Sequence, residues 1–74
     1  MMPHDDPRER FAANLRRARE KTGMSQARLG LVAGLESSEI SRLEAGKREP
    51  RLMTMVGLAR ALHVELADLL DGVR

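Results

Sequence analysis

The 74-residue chain has no cysteine, tryptophan or tyrosine, and its single aromatic residue is Phe11. Without cysteine there can be no disulfide and no thiolate metal ligand. The only histidines, His4 and His63, are too few for a structural zinc cage, so neither a metal nor another cofactor is expected. One aromatic ring also argues against binding single-stranded nucleic acid by base stacking. No apolar run approaches the roughly 18 residues of a membrane span. The opening Met1-Met2-Pro3-His4-Asp5-Asp6 lacks the basic and apolar regions of a signal peptide. Alternating β-branched runs and usable hairpin turns are missing too, because Asp71-Gly72 is followed by only two residues. The expectation is a soluble, cytoplasmic, all-α domain.

What is present is charge and helical punctuation. The net charge of +2 hides an asymmetry. Residues 8–28 carry seven bases against two acids, 29–51 are balanced, and 52–74 carry two bases against three acids. A basic first third joined to an acidic last third suggests one face for an anionic polymer and another for a different contact. A chain this short makes one domain with a thin margin of core over chain entropy, which favours well-formed helices or a partner.

Five helices are predicted within residues 6–74, with residues 1–5 expected to be a disordered tail. Asp6 as N-cap, Pro7 at N1 and Glu9 at N3 read as a capping box. Phe11, Leu15 and Ala18 then recur at helical spacing to Lys21, and Gly23 stops the helix. Ser25 caps a second helix to about Ala33, with Met24 and Leu29 placed for a hydrophobic staple and Gly34 ending it. A third runs from Ser37 to Ala45, with Gly46 beyond it. A fourth, Leu52 to Leu62, turns Met55, Leu58, Ala59 and Leu62 inward, and a fifth, Leu66 to Leu70, closes at Gly72.

Only Gly34-Leu35-Glu36 separates the second helix from the third, so the third leaves at a steep angle. This is the helix-turn-helix construction, spanning residues 25–45. On a wheel of 100° per residue Ile40 and Leu43 define the core side of the third helix. Ser37, Ser38, Ser41, Arg42 and Ala45 face away from it. Short side chains let a helix lie deep in a major groove, and Arg42 can reach guanine O6 and N7 as a bidentate donor. Serines and an arginine on an outward face are equally what any solvated helix shows.

Residues 11–70 resemble the Cro/XRE-type, lambda-repressor-like helix-turn-helix domains. The matching residues are Met24-Ser25-Gln26, Leu29, Gly34, Leu35, Ile40-Ser41-Arg42-Leu43-Glu44, Gly46-Lys47, Pro50, Leu52, Leu58-Ala59, Ala61-Leu62, Val64 and Leu69-Leu70. The resemblance implies a five-helix domain that binds operator DNA as a dimer and controls transcription, most simply as a repressor or small autoregulatory controller associated with the nucleoid. Position by position it gives base reading to Ser37, Ser38, Ser41 and Arg42. Ser25, Gln26, Lys47 and Arg48 fall at backbone or phosphate contacts, with Gln26 either touching phosphate or bracing the reading helix. Arg19 and Glu44 match a largely buried ion pair that fixes the first helix against the third.

The chain departs from the family pattern at three positions. Glu36 stands where the third helix usually has a Ser or Thr cap, so either Glu36 or Ser37 caps it. Glu39 adds a second acid to the reading helix, which either weakens operator binding or accepts from a cytosine amino group. His63 replaces a glycine after the fourth helix and must accept a left-handed turn. The fourth and fifth helices, residues 52–70, carry more apolar surface than one small core needs. Met53, Val56, Val64, Leu66, Leu70 and Val73 are the expected dimer interface, placing two reading helices about 34 Å apart on a near-palindromic site. An enzyme is not expected, since no serine has a credible His-Asp partner and Gly46-Lys47 lacks the rest of a phosphate-binding loop. The rival reading is an antitoxin or adaptor that binds a toxin or another regulator through its apolar C-terminal helices.

Overall fold

A computed structural model describes residues 6–74, so the expected tail at 1–5 lies outside the described residues. It contains five helices and, among the described residues, no strand: α1 (Pro7–Thr22), α2 (Gln26–Ala33), α3 (Ser37–Glu44), α4 (Leu52–Leu62) and α5 (Leu66–Leu69). The ends of α1, α3 and α5 each differ by one residue from the sequence reading, the ordinary fraying of a helix terminus.

Local chemistry explains where each helix begins. Asp6 caps α1, but its Oδ1 accepts from Arg8 N at 2.9 Å rather than from Glu9. The Asp6–Glu9 capping box is therefore replaced by a tighter turn, and the backbone N–H of Arg8 holds the Asp6 carboxyl below its usual range. The Ser25 Oγ accepts from Arg28 N at 3.0 Å, as an N-cap should. Glu36 precedes α3 in extended conformation with no side-chain cap hydrogen bond, and α3 still starts at Ser37. In front of α5, the Asp68 carboxylate accepts from Glu65 N at 2.9 Å.

Two helices, α3 and α4, finish in the same way, and α2 shares one of their two bonds. After α2, Leu35 N donates to Gly30 O at 2.7 Å. After α3, Gly46 N donates to Leu43 O and Lys47 N to Arg42 O, the paired bonds of a Schellman ending. After α4 the same pair forms from His63 and Val64 to Arg60 and Ala59. His63 takes φ 56 there, the left-handed turn expected of it.

Packing follows the apolar stripes. Leu15, Leu29, Ile40, Leu58 and Leu69, one from each helix, are fully buried, and Phe11, Leu43, Ala59, Ala61 and Leu62 complete the core. Met55 is half-buried and packs against this cluster. α2 lies against both α3 and α4, while α1 crosses α3, α4 and α5. Two buried residues are polar, Asn14 and Glu44, and the Asn14 side chain donates to Leu69 O at 2.9 Å and Asp71 O at 2.8 Å. It thereby ties the first helix to the end of the last, satisfying the carbonyl of the final residue of α5 and one in the turn beyond it.

Candidate nucleic-acid interface

The candidate site is built on the turn between α2 and α3. Gly34 turns the chain at φ 76, and Leu35 tucks half-buried against the core. Gly30 makes the close approach possible. A β-carbon at that position would lie 2.6 Å from Leu35 O and 3.3 Å from the Glu36 carbonyl carbon. The turn backbone thus rests directly on α2, and the angle at which α3 leaves is fixed by contact.

α3 divides as its wheel demands. Ile40, Leu43 and Glu44 are buried, whereas Ser37, Ser38, Ser41, Arg42 and Ala45 are exposed along one face. Arg42 takes no part in the ion pairs among the described residues, which are Arg8–Asp6, Arg16–Glu44 and Arg19–Glu44. Its guanidinium therefore projects without an acidic partner among the described residues. Glu39 is half-buried on the flank of the helix. Lys47 and Arg48 are exposed just past the end of α3, with the Lys47 backbone anchored by its bond to Arg42 O. Ser25 is exposed at the start of α2, where its oxygen serves as the cap.

Behind this face Glu44 organises a polar cluster. Its carboxylate accepts from Arg19 Nε at 2.6 Å and Arg19 Nη2 at 3.0 Å, a bidentate pair, and from Gln26 Nε2 at 3.1 Å. Arg16 Nε approaches to 3.7 Å. Burial alone would push the Glu44 carboxyl up, but the hydrogen bonds from Arg19 and Gln26 and the charges of Arg19 and Arg16 outweigh it and hold the group below its ordinary value. The bond to Glu44 in turn raises Arg19. Arg19 Nη1 also donates to Met24 O at 2.8 Å. One carboxylate thus links α1, α2 and the far end of α3. Gln26 acts here as a brace on α3. The sequence reading paired Arg19 with Glu44 but did not find Arg16 on the same carboxylate, nor Asn14 in the core. Asn14 had a signal, because it falls on the stripe of Phe11, Leu15 and Ala18.

The six residues expected at a dimer interface are distributed over two surfaces. Met53 is 69% exposed on the outward side of α4, with Val56 half-exposed beside it. Val64, Leu70 and Val73 pack against the core, and Leu70 and Val73 line a groove with Phe11, Met55, Pro7 and Pro50. Leu66 is half-buried. Leu31, Val32 and Leu52 are also exposed, which the sequence reading did not anticipate.

The sequence profile of the helix-turn-helix family matches residues 15–69, from the middle of α1 to the end of α5. The chain belongs to this helix-turn-helix family, of the Cro/XRE type. It is 45% identical over 58 residues to the uncharacterized HTH-type transcriptional regulator y4dL of Sinorhizobium fredii, a match covering 78% of this chain but 30% of that protein. A second relative, control protein C.SmaI of Serratia marcescens, is 34% identical over 65 residues, covering 88% of this chain and 77% of the relative. Among solved structures, the restriction-modification controller protein C.AhdI of Aeromonas hydrophila superposes with a TM-score of 0.82 at 34% identity, over 84% of this chain and 94% of the other. The P22 c2 repressor, solved in complex with a synthetic operator, gives 0.78 at 31% identity with the same coverage. The protein thus has the all-α, lambda-repressor-like fold of helix-turn-helix transcriptional regulators, a fold whose regulators bind double-stranded DNA. Its family and fold are those of regulators, not of enzymes. No helix among the described residues is long and apolar enough to cross a membrane.

Proposed function

We propose that the protein is a sequence-specific regulator, a repressor or small autoregulatory controller of cytoplasmic, nucleoid-associated DNA, that binds a near-palindromic operator as a homodimer. The exposed face of α3 carries this reading, since Ser37, Ser38, Ser41 and Arg42 project from a helix whose opposite side is locked into the core. In a major groove the serines permit close approach and the unpaired Arg42 addresses guanine O6 and N7. Lys47 and Arg48 hold the phosphates at one end. Ser25 and the start of α2 hold them at the other, where the hydroxyl proton and the helix dipole favour an anion. Gln26, engaged with Glu44, contributes by fixing α2 against α3 and directs its remaining amide donor to phosphate.

The exposed start of α4, with Met53 and Val56, would meet its counterpart across a two-fold axis, with Leu66 adjoining and Val64, Leu70 and Val73 supporting from beneath. The likeness to the restriction-modification controller protein C.AhdI and to control protein C.SmaI makes a compact autoregulatory role the natural version of this reading. A second reading, an antitoxin or adaptor, is favoured by the 61% and 69% exposure of Leu52 and Met53. Such a module would hold a toxin or other protein on that face and bind duplex weakly.

Selection from random duplex DNA by the purified protein separates the two. A regulator enriches a palindrome with half-sites about one helical turn apart, and Arg42→Ala relaxes the preference. An adaptor enriches nothing, and Met53 substitutions abolish a protein complex instead.

A further inference from the structure

Glu36 is an odd residue to find at the mouth of a DNA-reading helix. It occupies the cap position of α3, yet its side chain makes no cap hydrogen bond and the residue is exposed. It takes no part in the ion pairs among the described residues. Its backbone, by contrast, is held firmly. Glu36 O accepts from Glu39 N at 3.0 Å and Ile40 N at 3.3 Å, and the peptide behind it rests on Gly30 with no room for a β-carbon between. A rigid backbone therefore presents a carboxylate with unused acceptor capacity next to Ser37 and Ser38.

We propose that Glu36 is a specificity-determining residue that accepts a hydrogen bond from the exocyclic amino group of a cytosine in each half-site. The inference rests on the DNA-reading function proposed above. In a helix-turn-helix complex the residues at the start of the reading helix lie at the base edges. Serine hydroxyls can donate or accept and so discriminate poorly between bases. Base choice then falls to Arg42, a donor suited to guanine, and to Glu36, an acceptor suited to the cytosine N4 amino group. A carboxylate brought between two phosphate backbones is repelled unless it meets a donor. Sequences lacking an amino group at that position are rejected more strongly than the cytosine-bearing one is favoured. Glu36 and Arg42 are six residues apart, about 9 Å along the axis. The two specified base pairs therefore lie within roughly three steps of 3.4 Å.

Random-site selection with the full chain, as wild type, Glu36→Gln and Glu36→Ser, tests this. The wild type should enrich cytosine at one position per half-site, within three base pairs of the guanine whose preference disappears in Arg42→Ala. Glu36→Gln should move that position alone to adenine, which glutamine reads at N6 and N7. Glu36→Ser should flatten the position, with a loss of discrimination of roughly tenfold. Melting curves accompany each variant, and because the Glu36 side chain is exposed and unbonded all three should fold. A wild type that enriches a site which Glu36→Gln reads identically, or with uniform tightening on every sequence, overturns the inference and leaves the DNA reading standing. A wild type that enriches no sequence overturns both.

Discussion

At the scale of single residues, Glu44 does the most to define the molecule. Its side chain has no exposed surface, so its charge is acceptable only because Arg19, Gln26 and Arg16 supply donors and positive charge. Removing Arg19 as Arg19→Met leaves that charge with one amide donor and a mostly exposed arginine. The expected cost is about 3 kcal/mol, read from denaturant midpoints. The double variant Arg19→Met/Glu44→Leu should lose less than the sum of its single changes, because the orphaned carboxylate is gone. The same carboxylate sets a pH dependence. A carboxyl depressed in the folded state contributes fully above its unfolded value of about 4.3, and the contribution is lost as pH falls from there through the folded value. The midpoint should therefore fall with acidification below about pH 4.3, and Glu44→Gln should flatten that limb while lowering stability at neutral pH. The Arg19–Glu44 partnership was legible because both lie at the edges of apolar faces and match a family pattern. A bracing role for Gln26 was read from the family pattern, but Glu44 as its partner was not, nor was Arg16, because reaching Glu44 depends on the angle between α1, α2 and α3, which no helical wheel contains.

At the scale of elements, two helical glycines make opposite demands. Gly30 and Gly57 both sit inside helices, where alanine is intrinsically better by about 1 kcal/mol. At Gly57 a β-carbon would find its nearest neighbour, Ala33 O, at an ordinary 4.0 Å. Gly57→Ala should therefore raise the melting midpoint, by an amount corresponding to roughly 0.5–1 kcal/mol. At Gly30 the β-carbon would stand 2.6 Å from a backbone carbonyl, which cannot swing aside without moving the turn. Gly30→Ala should lose stability, about 2 kcal/mol or more despite the better propensity, and should lose DNA affinity beyond what unfolding explains, since the angle of α3 shifts. His63 supplies a milder case. Its φ of 56 carries the strain of a β-carbon in the left-handed region, so His63→Gly should leave stability unchanged or slightly raised. The helices and their punctuation were readable because capping and termination are local chemistry. The missed detail, Asp6 bonding Arg8 rather than Glu9, is a choice between two adjacent N–H groups that the residue types do not decide.

At the scale of the whole molecule, the sequence disclosed the polarity of the fold better than its surface. The buried stripes all meet in one core, as their spacing required, but Met53, Val56, Val64, Leu66, Leu70 and Val73 were read together as one dimer interface. Folding instead turns Leu70 and Val73 toward Phe11 and Met55 and leaves Met53 on the far side of α4. Periodicity assigns a side chain to a face of its own helix; only packing tells which helix faces share a surface. This division makes the dimer testable without disturbing the core. Met53→Glu places a charge on a residue already 69% exposed, so the melting curve of the dilute protein should barely change. If α4 meets its counterpart there, sedimentation should show that the variant stays monomeric where the wild type dimerises. Binding to a selected palindrome should weaken far more than binding to a single half-site, because the second half-site no longer benefits from the first. Lys47→Ala should behave differently, weakening both probes alike and reducing the slope of log affinity against log salt by about 0.9 for each phosphate no longer neutralised. A Met53→Glu chain that still dimerises and holds the palindrome as tightly as the wild type would move the two-fold axis to the Leu70–Val73 groove.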